Sequence, residues 1–495
     1  AVPVNDYTQS IFPPDVTAVM DHGKRAVSKF PIADGVYYKY DYAPGTDISR
    51  YKNIPVPTSY MAYHSDYNFV GNYDFKEEAG LLHIADHHIS PGKKQWTWGN
   101  GDFGRAWDRN LTDENGPYIE LMTGVFTDNQ PDFTFLKPYE EKTFVQYFMP
   151  YKKVGTVKNA STEVVMSVET ADGKTKVVVY APGRIDDVNN TLAYKGKTVF
   201  EETAAVSPVD IFTKVIDLIP EDEEQLTLTV TKDGKELLGY TPHKNTEPIP
   251  SAAEAIPEPE KLETTEKLFL AATHLEQYRH ATYSPEPYYL EGLKRDPSDI
   301  RLNNGYGKYL YNRGRAAESI QYFRAAIKSS TWKNPNPYDC EPYYNLGVSL
   351  KASGETDAAF DAFYKAVWDG NQQDKAFYQL ANIAAGRGDY NEALEYVEKS
   401  LVNGAHNMKA RTLKAALLRL MGEKAEAEAF AKESMAIDPL DHGSRYELYL
   451  LTGEGLNEVK GVMRGDNHNY VELALTYMAA YFYTEADRVL ALAPQ

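Results

Sequence analysis

Four glycines in the second half of the chain set the strictest condition on how it can fold. Gly314, Gly354, Gly388 and Gly422 fall 40, 34 and 34 residues apart, and each lies between two stretches with helical apolar spacing. A repeat of that length is one helix–turn–helix unit that cannot bury its apolar face alone, so successive units must stack into a solenoid. A proline-rich insert, Lys333-Asn334-Pro335-Asn336-Pro337, lengthens the first interval. In the clearest unit Tyr343, Leu346, Gly347, Leu350, Gly354, Ala359, Phe363 and Ala366 supply the bulky, small and turn residues of such a pair. Ala393 and Ala427 repeat the part of Ala359, letting neighbouring helices approach closely. Asp296-Pro297 and Asp438-Pro439 end two units, because proline cannot continue a helix. The run Thr476–Gln495 is a further apolar helix pair with no polar cap, which predicts that it continues or is covered. Residues 263–495 therefore read as an α-solenoid.

The first half has a different texture. Residues 1–151 are rich in Tyr, Phe, Asp, Asn, Gly and Pro, with short alternating runs at 36–40, 81–85, 95–98 and 143–149 that read as strands of an antiparallel β-sandwich. Residues 43–67 read as a long loop region. Residues 152–241 carry β-branched runs broken by Asp172-Gly173 and Asp233-Gly234, a strong hairpin signal, and read as a small immunoglobulin-like sandwich acting as a spacer. Residues 242–262 form a Pro/Glu/Ala linker, stiff and solvated.

A net charge of −19 argues against a nucleic-acid partner, since a polyanion would be repelled. The single cysteine, Cys340, excludes an internal disulfide and any zinc site built on several cysteines. No apolar run approaches the roughly 18 residues of a membrane span. The compartment stays open between cytoplasm and periplasm. The start, AVPVNDY, has neither an initiator Met nor a signal-like segment and reads as a processed or cut end.

The chemistry concentrates between Gly92 and Gly124. Three of the five tryptophans, Trp96, Trp98 and Trp107, lie there among Asp102, Arg105, Asp108 and Arg109. Aromatic platforms beside paired charges are how a protein holds a sugar: the C–H face lies on a ring, and the hydroxyls go to Asp, Arg and Asn. Trp96 and Trp98 share one strand face, where core filling is the competing explanation. Glu120 alternates with Ile119 and Leu121, so it faces away from them. A carboxylate in that setting is either the partner of Arg105 or Arg109 or a general base. His83, Asp86, His87 and His88 form a cluster suited to sugar hydrogen bonding or proton transfer, to a metal clamp, or to a plain loop. Gly99-Asn100-Gly101-Asp102-Phe103-Gly104 matches a dinucleotide fingerprint in letters. It shows no helical period after it and reads as a turn between strands, so no cofactor is expected.

The stretch from Asp86 to Phe133, followed by KPYEEKTFVQYFMPYKKVG and the helical repeats, resembles a bacterial family of unknown function. Its members join a galactose-mutarotase-like β-sandwich to tetratricopeptide repeats and often lie near carbohydrate-utilisation genes. The resemblance implies that the first half of the sandwich precedes Ala1. It also implies a glutamate base followed by a Gln/Pro/Asp-type turn, which places the base at Glu120 and the turn at Gln130-Pro131-Asp132. Met122 stands where a glutamine is expected, and the spacing to Pro131 differs. His64 and His83 are both candidates for the acid.

The expectation is thus a carbohydrate-active protein. Glu120, His83 and His87 are its catalytic candidates. Trp96, Trp98, Trp107, Arg105, Asp108, Arg109 and Asp132 are its sugar-binding candidates, with no metal. The rival expectation is a non-catalytic scaffold that holds glycan or protein and recruits a partner, or a second copy, through the repeats.

Overall fold

The computed structural model describes residues 1–129, 132–136, 140–243, 246, 248–278 and 282–494. They divide into two compact units, one built from Ala1–Leu136 and Glu141–Ala255, the other beginning at Ile256.

Among the described residues the first unit stacks four larger antiparallel β-sheets and carries two small two-stranded ones. The first sheet has six strands in the order Val2–Pro3, Tyr118–Gly124, Gly92–Thr97, Thr58–Ala62, Ala18–Met20, Val27–Lys29. The second has four: Tyr147–Lys152, Ala79–Ile84, Phe69–Asp74 and Thr8–Ile11. Val19, Tyr60 and Ala62 of the first sheet pack on Val70 of the second. Because strand side chains alternate, the opposite face of the second sheet, with Phe69, Tyr73, Leu82, Ile84, Met149 and Tyr151, is free to pack elsewhere. It buries against Val165, Val178 and Tyr180 of the third sheet. That sheet, with Val165–Ala171 and Lys174–Tyr180 at its centre, in turn shares a core with the fourth, where Val188, Leu192, Leu228 and Val230 lie. The inner strand Phe69–Asp74 of the second sheet is therefore buried on both faces.

Two strands of this unit differ from the sequence reading. The region 43–67 holds the strand Thr58–Ala62, all five residues buried, in the middle of the first sheet. A strand covered on both sides shows no polar alternation, so its sequence looks irregular. The run 36–40 is not one strand but the hairpin Val36–Tyr37 and Tyr40–Asp41, with Tyr38 and Lys39 both at positive φ, as a tight primed turn demands.

The second unit is helical. Among the described residues it holds seven pairs, from Thr265–Tyr278 with Glu286–Arg295 to Asn467–Ala479 with Tyr483–Leu490. Gly314, Gly354, Gly388 and Gly422 all turn at φ between 75° and 87°, a region closed to most side chains. Gly347 lies against the ring of Phe363, where an added Cβ would come within 2.6 Å. Ala359, Ala393 and Ala427 are fully buried. The two helices of each pair lie side by side, as do the first helices of the first three pairs and those of the fourth to sixth pairs. The later part of the 242–262 stretch packs on the first pair: Ile256 and Leu262 join its core, and Arg295 donates to the carbonyls of Pro259, Glu260 and Leu262. No helix among the described residues is long and apolar enough to cross a membrane.

Replacing Ala359 by Leu adds a methine and two methyl carbons at a fully buried position. The expected cost is about 1–3 kcal/mol, read as a lowered midpoint of thermal or urea unfolding.

Candidate functional site

The pairing register of the first sheet decides what can meet. Ser59 pairs with Trp96 and Trp96 with Glu120, so these three form one row across three strands. Met61, Lys94 and Met122 form the next row, extended by Met20. All of them point away from the second sheet, because Tyr60, Gln95, Ile119 and Leu121 alternate with them and face inward. Glu120 is partly buried and makes no salt bridge among the described residues, so the expected pairing with Arg105 or Arg109 is absent. His22 Nδ1 lies 2.9 Å from Ser59 Oγ, and the Tyr38 hydroxyl meets the same oxygen. Burial holds His22 below its ordinary range, partly offset by Asp21. Lys94, only 9% exposed, has its ammonium disfavoured by burial.

From this row an aromatic ladder climbs off the sheet. Trp96 meets Trp98 edge-on at 5.4 Å, and Trp98 stacks on Trp107 at 4.9 Å and 14°. The Trp98 indole N–H donates to the Tyr118 hydroxyl at 3.2 Å. Trp107 stands on a helix, Asp102–Leu111, where the sequence suggested only a turn between strands. The glycines before it permit close backbone contact. A Cβ on Gly99 would meet the Val56 carbonyl oxygen at 2.6 Å, and one on Gly104 would meet that of Gly99 at 2.1 Å. The strand before this turn runs antiparallel to both its neighbours, so the fingerprint letters do not sit in a βαβ unit.

The opposite face of the same helix lines a separate pocket of about 570 Å³. Arg105, Asp108 and Arg109 face it together with Tyr51, Lys76 and Asn100. Asp108 is 7% exposed, and burial raises its pKa against the pull of Arg109. The nearby carboxylate adds to the burial that holds Tyr51 up at about 12. The Arg105 Nε donates to the Asn100 carbonyl at 3.0 Å, which fixes its stem beside the helix start. Two guanidiniums, a buried carboxyl and an amide can together take the hydroxyls of a polyol.

The expected residues thus divide among several places. Glu120, Trp96 and Trp98 share the outer sheet face, while Arg105, Asp108 and Arg109 share the helix pocket, which Glu120 does not line. His83 lies elsewhere, 2% exposed between the sheets, stacked on Phe148 at 4.6 Å. Its neutral form is favoured by burial, with Gln146 opposing. The first sheet stands between it and Glu120, which points outward from that sheet's far face, so it cannot act as its acid partner there. His87 sits in a surface turn, its Nδ1 2.8 Å from Asn68 Oδ1 and its ring tilted over His88. Asp86, His87 and His88 bring their ligating atoms within 4.8 Å of one another, a group that excludes His83. Asp132 is the ion-pair partner of Lys24; Gln130 and Pro131 lie outside the described residues. His64 pairs with Asp66 on the surface at 3.1 Å. The sequence reading missed His22, Ser59 and Tyr38, whose only signal was nearness to strands not yet placed. Lys94 was legible in principle, two residues from Trp96 on the same face.

Comparison with known proteins divides the chain at similar points. Residues 286–335 and 378–442 match the tetratricopeptide repeat, so the helical unit is an array of that class. Residues 1–152 match a domain of unknown function, DUF5107, and residues 159–240 the second domain of YphG-like proteins. Among curated proteins, the photosystem I assembly protein Ycf3 of Rippkaea orientalis (strain PCC 8801 / RF-1) is 33% identical over 98 residues, 19% of this chain. The match covers 57% of that relative's own length. Among solved structures, MamA is 20% identical over 35% of this chain and 91% of its own, with a TM-score of 0.31. PilF of Pseudomonas aeruginosa is 16% identical over 45% and 96%, at 0.35. YrrB, described as a tetratricopeptide repeat protein with an unusual peptide-binding site, is 15% identical over 40% and 97%, at 0.30.

Gly104→Ala tests the packing on which the helix pocket depends. The added methyl group meets two backbone oxygens that cannot rotate away, so the first unit should lose about 1–3 kcal/mol of stability. The near-ultraviolet circular dichroism of the Trp98–Trp107 stack should change with it.

Proposed function

We propose that this protein is an interaction scaffold whose helical repeats hold a protein partner. The observation that carries this is the stacking of successive helix pairs in an array that matches the tetratricopeptide repeat. Such stacking creates an extended inner surface, the surface repeat proteins use for binding. At the second and third pairs that surface is polar and ordered: Asn345 donates to Asn304, which donates to Glu341, and Lys308 pairs with the same carboxylate. The test is a photo-reactive residue placed at Asn345, on a first helix, or at Glu395, on a second helix. Cross-linking in the native lysate should trap one defined protein from position 345 and not from 395. Equal labelling from both, or none from 345, would reject the scaffold reading.

A second reading concerns the β unit, where the mutarotase-like resemblance would place a sugar on the outer face of the first sheet. It is favoured by Glu120, a carboxylate without an ionic partner among the described residues, one strand from Trp96 and in a row with Ser59. Trp96 would stack on the sugar ring, Glu120 would act as general base or acid, and His22, not His83 or His87, would be the histidine on that face. Glu120→Gln keeps the shape and removes the charge. If an oligosaccharide panel reveals turnover, this variant should still fold and bind yet lose about 100-fold or more in rate. Loss of folding in the variant would mean that the carboxylate is structural.

A further inference from the structure

In an open solenoid each repeat touches only its neighbours. The Asn467–Leu490 pair does not keep to that rule. Its sixth-pair neighbour is engaged as expected, through the Tyr477 hydroxyl donating to the fully buried Glu447 at 2.6 Å. Yet Glu485 also reaches Arg419 of the fifth pair at 3.3 Å, and Glu472 reaches Lys409 of the same helix at 3.3 Å. Further back, Tyr481 lies so close to Gly386 of the fourth pair that a Cβ there would come within 2.3 Å of its ring. Phe482 meets Tyr390 edge-on. In the third pair, the Lys351 amine donates to the Ala479 carbonyl at 3.2 Å, 128 residues away in sequence. One apolar core accordingly runs without a break from Ile320 to Val489.

Most of these groups, at Lys351, Gly386, Lys409, Arg419 and Glu447, belong to first helices, the layer that forms the inner surface. A loop carrying Tyr481 and Phe482 and a helix carrying Glu485 are seated on it as a ligand would be. Aromatic rings fill the gap at Gly386, and carboxylates meet the cations at positions 409 and 419.

We propose that the Asn467–Leu490 pair is a resident occupant of the inner surface of the third to sixth repeats, and that a partner gains that surface by displacing it. This rests on the scaffold reading. The chemistry of the seat defines the competitor: a helical segment with an exposed tyrosine or phenylalanine and a carboxylate about one helical turn away. The second pair and the start of the third pair's first helix, around Asn304 and Asn345, stay outside the occupied stretch and remain available for first contact.

The experiment uses the full chain and a fluorescent peptide comprising residues 467–494. The double variant Tyr481→Ala/Glu485→Ala weakens the seated pair without altering the surface beneath it. If occupancy limits access, the variant should bind the peptide at least about tenfold more tightly than the wild type, since apparent affinity scales with the fraction of open molecules. Adding Lys351→Met should weaken that binding again. Hydrogen exchange of the wild type is the second measurement and needs no variant. Amides of 467–490 should open as a group at least about tenfold more often than those of 373–421. Equal peptide binding to wild type and variant overturns the proposal. So does exchange of 467–490 only together with the whole unit, which would make the pair a fixed part of the core. Failure of the scaffold reading would appear differently, as no partner trapped from position 345 while the exchange and peptide results still hold.

Discussion

Side-chain alternation in the first sheet is the constraint on which the β unit depends. In Gly92–Thr97, Lys93, Gln95 and Thr97 turn toward the second sheet, while Lys94 and Trp96 turn away. Slipping one strand by one residue would turn its outward side chains, such as Trp96 or Glu120, inward and its inward ones, such as Gln95 or Ile119, outward. The same alternation separates Glu120 from His83. No side-chain rotation carries a group through a hydrogen-bonded sheet, so their separation follows from register and not from distance along the chain.

The repeats were legible in the sequence because their cause is periodic. Gly347 and Phe363 meet sixteen positions apart, as do Gly307 and Phe323, and the positive-φ glycines recur at almost fixed spacing. Nothing comparable marks the β unit. Thr58–Ala62 is covered on both sides, so its letters carry no alternation. The helix Asp102–Leu111 does carry a helical row, Phe103, Trp107 and Leu111, but that row is exposed while the buried positions are Gly104 and Asp108, a small residue and an acid. The candidate site was legible residue by residue but not as a constellation. Trp98, Arg105 and Glu120 are close in sequence, yet the helix turns the arginine away from the sheet face that carries the glutamate.

Charge is handled differently in the two units. On the outer sheet face, Lys94 and Glu120 share a surface without forming a salt bridge among the described residues. In the repeats, Arg419, Glu447, Glu485 and Tyr477 satisfy one another inside the core. A buried carboxylate such as Glu447 is tolerable only with such partners, since removing one leaves an uncompensated charge. The network therefore specifies which helices meet more than it adds to stability.

The second sheet, whose inner strand Phe69–Asp74 is covered on both faces, changes what counts as a module here. Sequence families divide the first unit between residues 152 and 159. The boundary marks where inheritance can be cut, but Phe69, Tyr73 and Met149 on one side share their core with Val165 and Val178 on the other. Neither half is a closed hydrophobic body. A gene fusion or truncation made at the family boundary would release an apolar sheet face into water, and the two families can recombine only with partners that bring a matching layer.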